Sequence, residues 1–208
     1  MARIDYEFID SYRTVKKSSL DKGKTLVIVI DMVKGFCERG AMADSAIKDI
    51  ASDIAGLLNY YPHALFFRDA HEPDSTELSV FPSHCLKGTE ESEIINELKD
   101  FASRSAIVLK NSTNGFMAPN FMENAEDTAK KFDNFILTGC CTDICVLQFG
   151  LSWMGYLQQY NYAKKTVYLP LNAVDTYHAQ GAHDVRSFNK MAVRLMENAG
   201  IKVVKKIG

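Results

Sequence analysis

Six short apolar runs recur along the chain, and their lack of polar alternation constrains the fold more than any other feature. They are Thr25-Leu-Val-Ile-Val-Ile-Asp31, Ala64-Leu-Phe-Phe67, Ser105-Ala-Ile-Val-Leu-Lys110, Phe135-Ile-Leu137, Thr166-Val-Tyr-Leu-Pro170 and Lys202-Val-Val-Lys205. A strand with one wet face alternates apolar and polar side chains, whereas a continuous run belongs to a strand covered on both faces, as in a parallel sheet. Between the runs the apolar residues return at helical spacing. Ile47, Ile50, Ile54, Leu57 and Leu58 follow the cap candidates Asp44-Ser45 and predict a helix to about Tyr60. Further helices are expected over Glu90–Leu98, through about Lys131, from Asp143 to about Gln159, and over roughly 179–198. The helix from Asp143 is apolar nearly all round and reads as buried. Residues 1–24 hold no clear period and are expected to form an N-terminal arm or a short helix. Alternating strands and helices define the α/β class, with a six-stranded, mostly parallel sheet covered on both faces. A length of 208 residues fits a single domain over 1–208.

Composition narrows the function by exclusion. A formal net charge of −2, with 24% charged and 47% hydrophobic residues, supplies no electrostatic case for a nucleic-acid or membrane partner. No apolar run approaches the ~18 residues of a membrane span, and the charged first residues hold no signal-peptide core. Five cysteines are an odd number in a chain too long to need staples, which suits a reducing, cytoplasmic setting. The strand–helix junctions lack Gly-x-Gly-x-x-Gly and a phosphate-loop lysine, which argues against a nucleotide site.

The strand ends hold the chemistry. In open α/β sheets the functional crevice lies at the C-terminal ends of the strands, where this chain places Asp31 and Lys110. Judged alone, each also suits a cap or a solvated end. Asn134–Gly150 reads as strand, tight turn and helix, which puts Cys145 in the first helical turn. The free N–H groups and dipole there favour an anion and lower a thiol from its usual pKa of ~8.5. Cys145 is thus either a reactive thiolate or a small buried filler of the junction. Thr142 or Asp143 is expected to cap the turn, leaving N–H groups around Cys141 and Cys145 for an oxyanion. Asp69 and His71 fall on the same side of an extended segment, and with Glu77 and His84 of the following loop they could close on one divalent cation or be merely solvated. His63, His178 and His183 fit no such cluster and read as structural or surface residues.

Taken in order, Asp31 after a strand, Asp69-x-His71, Phe-Pro-x-His-Cys ending at Cys85, Lys110 after a strand and Gly-x-x-Thr-Asp-x-Cys-Val at 139–146 resemble the isochorismatase-like cysteine hydrolases, and within them the nicotinamidase branch. The resemblance runs from Thr25 nearly to the end. It implies a three-layer αβα, Rossmann-like hydrolase fold, Cys145 as nucleophile with Asp31 and Lys110 as partners, and a cis peptide at Cys140–Cys141 that aims the amides of Cys141 and Cys145. It matches Asp69, His71 and His84 to the family's metal ligands, with Glu77 as fourth, and implies a divalent metal, zinc first and iron or manganese as alternatives. Phe36, Phe81 and Phe116 are then expected to wall a flat ring. The implied partner is a small-molecule amide, nicotinamide, hydrolysed to nicotinate and ammonia; a homo-oligomer is left open. Val33, Lys34 and Phe81 depart from common nicotinamidase residues, which keeps another amide or an N-carbamoyl compound as the alternative substrate.

Overall fold

The computed structural model describes residues 6–208. Its strands are β1 (Thr14–Val15), β2 (Thr25–Ile30), β3 (His63–Asp69), β4 (Ala106–Lys110), β5 (Asn134–Gly139), β6 (Thr166–Pro170), β7 (Lys202–Val204) and β8 (Lys206–Ile207). The α-helices are α1 (Tyr6–Asp10), α2 (Lys34–Cys37), α3 (Ala51–Leu58), α4 (Asn96–Ala102), α5 (Pro119–Lys131), α6 (Leu147–Gln159) and α7 (Val185–Asn198). Six strands form one parallel sheet in the order β4-β3-β2-β5-β6-β7, and β1 pairs with β8 beside it. The central β2 is buried along its whole length, as its unbroken apolar run requires.

Apolar side chains fill both faces of the sheet. Ile28, Leu137, Phe149 and Trp153 belong to one layer, and Val27, Val29, Ile54 and Ile136 to the other. Helices therefore cover both faces, the three-layer α/β arrangement expected of such strands.

Long-range packing corrects three expectations, and two further segments take a more detailed form than expected. The run ending at Lys110 is an edge strand with Ile107 and Leu109 about 40% exposed, because only β3 flanks it. The helix read over Glu90–Leu98 is a short 3-10 turn at Glu90–Ser92 followed by α4. Its backbone leaves the helix so that Ile95 N–H can donate to the Met32 carbonyl, while Glu90 and Glu93 turn to Lys34. Helix α6 buries Phe149, Gly150, Trp153 and Leu157 but exposes Leu151, so it is an outer helix with one buried face. Within 1–24, the arm includes α1 and a strand that pairs with β8; the first five residues lie outside the described ones. The helix after Asp44 also begins as a 3-10 segment, Ser45–Ile50, capped when Asp44 accepts from Ala46 N–H.

Candidate active site and metal centre

Four neighbouring strands end together and each delivers one side chain. Lys110 closes β4, Asp69 closes β3 opposite it in register, Asp31 follows β2, and Cys145 lies in the turn after β5. Gly139 makes the junction of β5 and β2 possible: its φ is 107°, and a Cβ there would run into the Ile30 carbonyl. The next peptide, Cys140–Cys141, is cis, and a π-turn over Thr142–Val146 carries Cys145 into α6.

Lys110 Nζ sits 2.7 Å from Asp31 Oδ2, 2.5 Å from Asp69 Oδ1 and 3.8 Å from Cys145 Sγ, and Asp31 Oδ1 accepts from Asp69 N–H at 3.0 Å. All four residues are at most 4% exposed. Burial, with the Asp69 carboxylate beside it, pushes the Asp31 carboxyl up to about 7 against the pull of Lys110. Burial also works to raise Asp69, but Lys110 and His71 outweigh it and hold that carboxyl below the ordinary range. Burial disfavours the Lys110 charge, yet the two carboxylates keep its pKa well above the usual lysine value.

Burial pushes the Cys145 thiol up as well, and Lys110 only partly opposes it. This corrects the expectation of a lowered thiol pKa: the field of a helix end does not offset desolvation beside Asp31 and Asp69. The side-chain cap is also absent. Thr142 Oγ1 has no hydrogen-bond partner, and the Asp143 carboxylate points away to His183.

Asp69, His71, Glu77 and His84 meet beside this cluster, with one ligand atom of each within 4.8 Å of the others. His71 Nε2 is 3.5 Å from Asp69 Oδ1 and 3.6 Å from Glu77 Oε1; His84 Nε2 is 3.9 Å from Asp69 Oδ2 and from Glu77 Oε1. The backbone fixes the His84 ring, whose Nδ1 lies 2.7 Å from the Pro82 carbonyl, which turns its Nε2 inward, while the main-chain N–H of His71 donates to the Cys85 carbonyl and holds its strand end in place. His71 Nε2 and Asp69 Oδ2 are buried with no hydrogen-bond partner. Two imidazoles and two carboxylates that converge here, with His71 Nε2 and Asp69 Oδ2 left without donors, fit a divalent cation of the zinc, iron or manganese type.

One cleft joins the two clusters. It is lined by Phe36, Met42, Asp69, Glu77, Phe81, His84, Thr113, Cys141, Ile144 and Cys145. Of the three aromatic walls expected from the sequence, Phe36 and Phe81 are there. Phe116 is not: it packs inward against Phe121, Trp153 and Tyr156, and Thr113 of the same loop takes the lining position. Cys140 also stays behind the cleft, its Sγ donating to the Asp31 carbonyl. Met42 and Thr113 lie in irregular segments and carry no periodic signal, so sequence reasoning missed them.

A buried thiol beside a carboxyl and a lysine, on a parallel α/β sheet and next to a candidate cation site, agrees with the hydrolase class that comparison with known proteins gives. The chain belongs to the isochorismatase family, whose domain model matches residues 25–203. It is 28% identical to Nicotinamidase 1 of Arabidopsis thaliana over 87% of this chain and 85% of that protein. Among solved structures, nicotinamidase PncA of Bacillus subtilis superposes with a TM-score of 0.70 at 23% identity, covering 88% of this chain and 99% of the other. The pyrazinamidase of Pyrococcus horikoshii in complex with zinc gives 0.68 at 19% identity, covering 87% and 98%. No helix among the described residues is long and apolar enough to cross a membrane.

Proposed function

We propose that the chain is a nicotinamidase, hydrolysing nicotinamide to nicotinate and ammonia through a thioester on Cys145. One observation carries this reading: the lining of one cleft combines Cys145 with Asp69, Glu77 and His84 of the candidate cation cluster and with the rings of Phe36 and Phe81. A flat heteroaromatic amide can present its carboxamide to the thiol and its ring nitrogen to the cation cluster. The likeness to the Arabidopsis nicotinamidase supports the same substrate class. The described residues lining the cleft include no lysine or arginine, which disfavours an N-carbamoyl acid bearing its own carboxylate.

Asp31 is the base in this mechanism. Its carboxyl, raised to about 7, exchanges a proton near neutrality, and one of its oxygens lies within 4.8 Å of the thiol sulfur. It takes the Cys145 proton as sulfur adds to the carbonyl carbon, and returns it to the nitrogen that leaves as ammonia when the C–N bond breaks. Lys110 holds the charge balance between Asp31, Asp69 and the nascent thiolate. The backbone N–H groups of Cys141 and Cys145, at the mouth of the π-turn, receive the oxyanion. Water, deprotonated by Asp31, then breaks the thioester to release nicotinate. A divalent ion held by Asp69, His71, Glu77 and His84, zinc by our assignment, would supply a Lewis acid that anchors the ring nitrogen and draws electron density from the carboxamide. The free, buried cysteines suit a cytoplasmic setting.

Ammonia release from nicotinamide, measured before chelation, after it and after zinc restoration, tests the proposal. Release that disappears and returns is the expected outcome. No release from zinc-loaded, folded protein, or faster release from an N-carbamoyl amino acid, overturns it.

A further inference from the structure

A buried carboxylate–imidazole contact lies outside the cleft, and none of the steps above uses it. Asp143 stands two residues before Cys145 in the π-turn, and its Oδ2 lies 2.8 Å from His183 Nε2, the two side chains being only 5% and 7% exposed. The other ring nitrogen, Nδ1, lies 2.9 Å from the Tyr177 carbonyl oxygen. Both ring nitrogens thus lie at hydrogen-bonding distance from an oxygen, one of a carboxylate and one of a carbonyl, which fixes the plane of the imidazole. The ring is also clamped flat, with Tyr177 stacked at 3.9 Å and 15° on one face and Phe188 of α7 at 3.8 Å and 25° on the other. A surface histidine has no such enclosure.

The segment that carries His183 is itself tied to both walls of the cleft. Thr142 N–H donates to the Asp175 carbonyl and Asp175 N–H to that of Gly139, which fixes the start of the nucleophile turn. Asp175 Oδ1 accepts from Asn189 Nδ2 of α7. Ala179 and His183 exchange backbone hydrogen bonds, closing a tight turn that presents the imidazole. His178 N–H donates to Asp44 Oδ2, two residues beyond Met42 of the opposite wall.

We propose that Asp143 and His183 are positioning residues: the pair replaces the missing side-chain cap and locks the π-turn so that Cys145 Sγ stays in register with Lys110 and Asp31. The proposal rests on Cys145 being the nucleophile. A π-turn has no side-chain cap here and takes its anchorage from outside, and displacement of a reacting group by ~1 Å costs on the order of 10²-fold in rate. Among the described residues, neither side chain hydrogen-bonds to a metal ligand or to the cleft lining, so substrate and metal affinity are expected to be spared.

The test compares His183→Ala with His183→Gln, whose amide N–H can still donate to Asp143. Relative to the zinc-loaded unmodified protein, His183→Ala should lower kcat ~10- to 100-fold with KM and zinc stoichiometry held within about twofold, and His183→Gln should recover most of that loss. Asp143→Asn, which keeps the shape of the side chain, supplies the same comparison if the alanine variant fails to fold, with a kcat loss of about tenfold expected. An unchanged kcat, or equal impairment of the alanine and glutamine variants with KM and zinc content falling together, overturns positioning. If the unmodified protein hydrolyses no nicotinamide, the functional reading fails on its own. Iodoacetamide alkylation of Cys145, followed by peptide mass spectrometry, then decides positioning without substrate. A rate changed about fivefold or more in His183→Ala and preserved in His183→Gln supports it; equal rates in all three proteins overturn it.

Discussion

The two ends of the β5–turn–α6 unit follow opposite rules. At the rim, Cys145 shares a buried space with Asp31, Asp69 and Lys110, and polar atoms of Asp69 and His71 are left without hydrogen-bond partners. Two turns along α6, Trp153 lies among Phe121, Phe135, Phe149 and Tyr156, with ring centroids 5.1 to 6.5 Å apart. Burying charges costs free energy that their pairing only partly returns, whereas the aromatic layer gains from both area and ring geometry. The comparison teaches that the candidate chemical site and the stabilising aromatic layer occupy separate parts of one continuous element, so that each is expected to be removable with the other retained.

The largest effect that sharpens this contrast is Cys145→Ala, expected to reduce nicotinamide hydrolysis at least ~10³-fold, as loss of a nucleophile does, with a melting temperature near that of the unmodified protein. Retained amidase activity, measured as ammonia release, would break it from the rim side. Next in size is Trp153→Ala. Truncating this fully buried ring should cost ~3–5 kcal/mol in denaturant unfolding and leave kcat of the folded fraction unchanged. A fall in kcat without loss of stability would show that the aromatic layer reaches the chemistry.

The smallest effect lies where the chain enters β3, at the far end of the sheet from the rim. Tyr61 is 1% exposed and its hydroxyl donates to the Lys17 carbonyl at 3.0 Å; burial pushes its phenol up to about 12. A folded-state value above the unfolded one of ~10 means that its contribution is complete below pH ~10 and is lost as pH rises towards 12. Tyr61→Phe should therefore cost ~1 kcal/mol at neutral pH and soften the alkaline loss of stability, read by urea unfolding across pH. A variant with the same alkaline profile as the unmodified protein would assign that limb to other groups.

Much of the scaffold was legible because its signals are local. The continuous run Thr25–Ile30 reports a strand covered on both faces, and the structure buries every residue of it. Asp31, Lys110 and Cys145 stand out because each interrupts or follows such a run, and Asp69 and His71 because of their spacing. Phe116 was misplaced for the opposite reason: an aromatic residue in a loop has no period, and only the presence of Phe121 and Trp153 in three dimensions draws it inward. Glu90 and Glu93 read as helix formers until Lys34, nearly 60 positions away, claims them as ion partners.

By itself, then, the sequence determined the α/β class, the number of strands in the main sheet and the residue types waiting at their ends, since strand period and turn chemistry depend on near neighbours. Tertiary structure alone decided the order β4-β3-β2-β5, which lines up Lys110, Asp69, Asp31 and Cys145, and the pairing of Asp143 with His183 across 40 positions. It also reversed the expected shift of the thiol. A helix end is a local feature, but desolvation and the balance of buried charge sum over every part of the chain packed around the site, and no window of sequence contains that sum.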